Sequence, residues 1–120
     1  MELFKISWEG DSKEIVSAFP SEVKQDIGFA LLQLQRGEIP SDIRPMTSIG
    51  AGVFEIKTSD ERAWYRAIYL SKVDDTIYVL HCFEKQSRKT ERRDLETART
   101  RLSRVRERML QMRKDEKRKG

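Results

Sequence analysis

The sequence predicts an α+β domain in the order strand, two helices, three strands, helix (βααβββα), with the last three strands forming an antiparallel meander packed by helices. Three observations predict it. Apolar and polar residues alternate at 3–8 and 53–57, and aromatic and branched residues fill 63–71 and 76–85, the period-two signature of strands. Apolar residues recur every three to four positions over 21–36 and 90–112, the period of a helix face. A length of 120 residues suits one domain with one modest core.

Taken in order, residues 3–8 (Leu-Phe-Lys-Ile-Ser-Trp) open the sheet. Asp11 and Glu14 have capping-box spacing, with Ser12 as another cap candidate, ahead of a short helix carrying Ile15, Val16 and Phe19. Pro20 interrupts it, and Ser21 is placed to cap a second helix, where Val23, Ile27, Ala30, Leu31 and Leu34 form one stripe. Gly37 ends that helix, and Pro40 and Pro45 mark a loop. Residues 53–57 put Phe54 and Ile56 on one face and Val53, Glu55 and Lys57 on the other. Residues 72–75 are a polar turn between the next two strands. Thr90 is placed to cap a final helix whose apolar residues are Leu95, Ala98, Leu102, Val105, Met109 and Met112. The domain is expected to span residues 1–112, with the charged residues 113–120 fraying.

The net charge of +4 conceals a polarity. Residues 1–83 carry 9 Lys/Arg against 13 Asp/Glu, and residues 84–120 carry 15 against 7. A basic last third suits a polyanion, because clustered cations release phosphate counterions; it suits an acidic protein equally. The single cysteine, Cys82, excludes an internal disulfide, and its apolar surroundings point to a buried, reduced thiol. The start of the chain lacks a signal-peptide layout, and no apolar run reaches the roughly 18 residues of a spanning helix. A soluble, cytoplasmic protein is expected. One histidine and one cysteine make no metal set. Gly50-Ala51-Gly52 lacks the following Lys-Ser/Thr of a phosphate loop.

Three stretches carry a family resemblance: Gly52-Val53-Phe54-Glu55-Ile56-Lys57, Tyr65-Arg66-Ala67-Ile68-Tyr69, and Leu80-His81-Cys82-Phe83-Glu84-Lys85, with Lys89-Thr90 opening the last helix. In order, spacing and placement on successive strands they resemble the RelE/ParE superfamily of toxins, and within it the HigB-like, phage-derived branch. The resemblance implies a RelE-like fold and cleavage of messenger RNA, ribosome-dependent or free. The ribose 2′-hydroxyl would attack its neighbouring phosphate, with no metal or other cofactor. It also implies messenger RNA and the ribosome as partners, and a small helix-turn-helix antitoxin that blocks the basic face.

That reaction needs a proton acceptor, cations around the phosphorane and a proton donor for the leaving oxygen. Arg66 shares a strand face with Trp64, Ile68 and Leu70, where a charge must be paired or functional; the family's transition-state arginine falls here. The alternative is a strand arginine paired with a carboxylate such as Glu55. Lys57 matches a family position usually Lys or Arg, and would bind phosphate or give up a proton; otherwise it is a solvated strand end. Glu55 stands where some RelE-type toxins have a lysine proposed as general base. It is therefore either the base or the group that orients Arg66 or Lys57. Lys85 matches the family's terminal basic residue, with Arg88 and Lys89 behind it as further RNA contacts; a generic basic rim is the plain alternative. His81, the only histidine, is either an RNA-site residue or a packed, hydrogen-bonded one. Strict alternation puts it on the face of Ile77 and Val79. Family members often carry a tyrosine or histidine after this strand, and residues 86–93 contain neither. Trp64 and Tyr69 are available to stack a base or to fill the core.

The last helix is expected to pack on its own sheet, the alternative being a seam for a second copy or an antitoxin segment. Its outer face would carry Arg92, Arg99, Arg101, Arg104, Arg106 and Arg108. Two other readings use the same fold: a ParE-like inhibitor of DNA gyrase, and a catalytically silent, phage-derived nucleic-acid-binding module.

Overall fold

The computed structural model describes residues 2–86 and 91–119. The elements are β1 (Lys5–Trp8), α1 (Ser12–Ser17), α2 (Ser21–Gln35), β2 (Ile43–Pro45), β3 (Val53–Ser59), β4 (Trp64–Val73), β5 (Thr76–Lys85) and α3 (Arg92–Lys119). The class is α+β as expected, with one strand more. Residues 43–45, read as loop because of the neighbouring prolines, form the edge strand β2 along β3. An edge position tolerates Pro45, which has no N–H to give.

The sheet order is β1-β5-β4-β3-β2. Strands β2 to β5 are the antiparallel meander. β1 joins it parallel to β5, from Lys5 opposite Thr76 to Trp8 opposite Val79. The sheet divides the expected single core into two. On one face, Val16, Val23, Ile27 and Leu31 of α1 and α2 pack with Ile56, Tyr65, Ala67, Tyr69 and Val79. On the other, Ala98, Leu102 and Val105 of α3 pack with Val53, Ile68, Leu70, Leu80 and Phe83. The apolar seam of α3 is thus spent on its own sheet as far as half-buried Met109, and Met112 is 61% exposed. The helix continues through Lys119.

Local signals fared unevenly. Gly37, at φ +80°, ends α2 as expected: its N–H reaches Leu34 O and that of Glu38 reaches Gln33 O, the Schellman closure that favours glycine. The N-terminal caps differ. α2 begins at Ser21, with Pro20 in the cap position and no side-chain cap bond. Asp11 caps nothing; its carboxylate pairs with Arg101 of α3 at 2.9 Å. Thr90 lies outside the described residues.

The alternation expected for β5 breaks in the middle. Ile68 pairs with His81, but Tyr69 pairs with Val79, so Leu80 is an extra residue. This bulge shifts the parity of the strand. Ile77 and Val79 belong to the α1/α2 core, whereas His81 bonds to Asp94 of α3 and stacks on Phe83. His81 therefore faces α3, opposite to Ile77 and Val79.

Cys82 is buried in the α1/α2 core, and burial pushes its thiol up to about 12. Because the thiolate is the reactive form, native protein at pH 8 is expected to resist iodoacetamide, with one thiol labelled after denaturation. Rapid labelling of native protein would show that this core opens.

Candidate functional site

The α3-facing side of β3 and β4 carries the ionic cluster. Lys57 lies opposite Arg66, and Glu55 opposite Ile68, so Glu55 and Arg66 are diagonal neighbours on one face. Arg66 Nη1 donates to both oxygens of Glu55, at 3.0 and 3.2 Å. Arg44 of β2 donates from Nε to Glu55 Oε1 at 3.0 Å. Glu55 is 0% exposed and Arg66 1%, whereas the Arg44 side chain is 53% exposed. One buried carboxylate thus serves two guanidinium groups, and such pairing is what permits ions inside a protein. The geometry of Arg66 is that of the strand arginine paired with Glu55.

Lys57 is half-buried, its ammonium 5.2 Å from the centroid of the Trp64 ring, a cation–π distance. Trp64 is in turn the cross-strand partner of Lys85. Tyr69 fills the core at 1% exposure. Glu55, Lys57, Trp64, Arg66 and Lys85 therefore occupy one continuous patch across three strands.

A second ionic group closes this patch at the start of α3. Lys85 Nζ lies 2.9 Å from Glu91 and 3.4 Å from Asp94. The other oxygen of Asp94 lies 2.9 Å from His81 Nε2. Arg101 donates to Leu80 O at 3.0 Å and points the same nitrogen at His81 Nδ1, 3.4 Å away. A guanidinium can only donate, so Nδ1 accepts and Nε2 carries the proton toward Asp94. Both ring nitrogens are engaged by the chain's own groups, the arrangement of a packed, hydrogen-bonded histidine. Gly10 fits beneath Arg101: at φ +55°, a Cβ there would lie 2.5 Å from the guanidinium carbon.

Sequence reasoning missed Arg44, Glu91 and Asp94. Glu91 and Asp94 share a helix face at i, i+3, which was the available signal. Arg44 sits in a strand too short to show alternation. Arg88 and Lys89 lie outside the described residues. Of the six arginines assigned to the outer face of α3, three turn back on the domain: Arg99 donates to Ser48 O, Arg101 pairs with Asp11 and Arg108 pairs with Glu9.

The Lys85 ammonium holds the Glu91 carboxyl below the usual glutamate range. A depressed folded-state pKa adds stability above the unfolded value, lost as pH falls through the folded one. The stability difference between wild type and Glu91→Gln is therefore expected to shrink as pH drops below about 4. Denaturant titrations at pH 7 and pH 3 check this; an equal difference at both would remove the contact.

Among the described residues, no group of His, Cys, Asp and Glu side chains could hold a metal ion, and no helix is long and apolar enough to cross a membrane. The sheet, the α3 cover and the cationic patch define a small α+β toxin-type domain. Residues 14–103 match the family model described as Phage derived protein Gp49-like (DUF891), and the chain belongs to that family. The family is part of the RelE/HigB-type toxin group and is associated with toxin–antitoxin systems; membership implies an antitoxin partner. No curated protein matches the chain.

Proposed function

We propose that the protein is the toxin of a type II toxin–antitoxin pair, HigB-like within its group, and a metal-independent endoribonuclease acting on ribosome-bound messenger RNA. The observation that carries this reading is the convergence of Lys57, Arg66 and Lys85 on one sheet face beside a half-buried tryptophan. Cations held in advance around a phosphate stabilise the phosphorane without reorganising. Lys57 and Arg44 reach solvent and would meet the phosphate directly. Arg66 and Lys85 stand behind them. Glu55 already holds two guanidinium groups, so in this reading it positions Arg44 and Arg66 rather than taking the 2′-hydroxyl proton. Trp64 offers a surface for a base. Arg88 and Lys89, next to Lys85 in sequence, would extend the RNA contact, and a helix-turn-helix antitoxin would cover the basic face.

The test is controlled expression of wild type and Lys57→Ala, with mapping of messenger-RNA 5′ ends. Growth arrest with new ends inside translated messages, lost in the variant, is the expected result. Arrest without new ends would replace the nuclease with a ParE-like action on gyrase, read by a supercoiling assay. A second reading has its own support. The complete burial of Glu55 and Arg66 suits a catalytically silent module that binds RNA and leaves it whole.

A further inference from the structure

We infer that the Glu91 carboxylate occupies the place on Lys85 that a phosphodiester of the RNA strand takes, so that the chain carries its own occupant of a phosphate site. The class of ligand rests on the nuclease reading above; the occupancy rests on geometry. The Lys85 side chain is 4% exposed, and an ammonium so buried requires a counter-charge. The first turn of α3 and the residue before it supply two, and they are not equivalent. The Asp94 side chain is 10% exposed and is held by His81 through its other oxygen. It is a fixed anion. The Glu91 side chain is 55% exposed, and its other oxygen reaches only Arg93, itself 83% exposed.

One side of the ammonium is therefore closed permanently, and the other by a group that water and salt can reach. Ion pairs with an exposed partner are weak and screened. A phosphodiester brings the same single negative charge, so exchange leaves Lys85 neutralised while Asp94 stays in place. The surroundings suit a strand. Trp64 lies beside Lys85 in the sheet, and the Lys57 ammonium lies against the same ring, which adds a stacking surface and a second cation.

The experiment uses the full chain and a fluorescein-labelled 2′-O-methyl RNA oligonucleotide, which lacks the attacking hydroxyl. Binding is followed by anisotropy at constant ionic strength. Glu91→Gln should tighten binding about fivefold. Glu96→Gln removes the same charge from an exposed carboxylate paired only with Arg92 one turn along, and should change binding less than twofold. Adding Lys85→Met to Glu91→Gln should erase the gain. If that variant fails to fold by circular dichroism, the comparison of the two glutamine variants decides alone. Equal effects of Glu91→Gln and Glu96→Gln would reduce the result to net charge and overturn the inference. So would unchanged or weaker binding by Glu91→Gln, or no binding by any form. Cleavage of unmodified message on ribosomes is scored separately. Tighter binding with no cleavage keeps the phosphate site and removes the nuclease; cleavage with unchanged binding does the reverse.

Discussion

Arg66→Ala is expected to cost about 3–5 kcal/mol of folding stability, because it strands a buried carboxylate with one of its two cations gone. Glu55 would keep only Arg44, whose side chain is 53% exposed. Urea or guanidinium unfolding of the purified variant measures the loss. The companion Glu55→Leu with Arg66→Met exchanges the pair for apolar side chains of similar volume, and such exchanges are often neutral or stabilising. Its stability should return to within about 1–2 kcal/mol of wild type. A single variant within about 0.5 kcal/mol of wild type, the range of ordinary surface changes, would mean that water reaches Glu55. The two variants also guard against a misreading. Loss of toxicity in Arg66→Ala alone could not separate unfolding from lost chemistry, whereas a stable, inactive double variant would.

The second large effect is expected at Lys57. If its ammonium meets the scissile phosphate, Lys57→Ala should lower the single-turnover cleavage rate about 10²–10³-fold, the usual cost of one preorganised donor. Stability should move by less than about 1 kcal/mol, because only an exposed-edge cation–π contact is lost. Lys57→Arg keeps the charge and should recover part of the rate. A variant that folds normally and cuts at the wild-type rate would put the phosphate elsewhere on the face.

The faces of β3 and β4 were legible in the sequence because their alternation is unbroken. Phe54 and Ile56 separate from Val53, Glu55 and Lys57, and Arg66 falls with Trp64, Ile68 and Leu70, as in the folded sheet. The far half of β5 was not legible. Its phase is set by the Leu80 bulge, a product of pairing with β4 rather than of composition. The helix starts failed for a related reason. Asp11 has the right spacing for a cap, but Arg101, ninety residues on in the chain, competes for its carboxylate and wins. Asp94 looked like an ordinary acid favouring a helix N-terminus. Only the packing of α3 against β5 reveals that it lies between His81 and Lys85. Long-range partners, and not propensities, fixed each of these residues.

The parallel seam between β1 and β5 also orders events during synthesis. β1 is made first, yet its only neighbour in the sheet is β5, made after every other strand. The α1/α2 core lacks Val79 and Cys82 until then, and the opposite core lacks Val105 for longer still. At about 5–20 residues per second, β1 waits seconds for its partner, and the anions at the start of α3 arrive only after the lysine that they neutralise. A nascent chain therefore cannot assemble the charged face until α3 has followed β5 out of the ribosome, which delays the folded form of the protein to the end of its own translation.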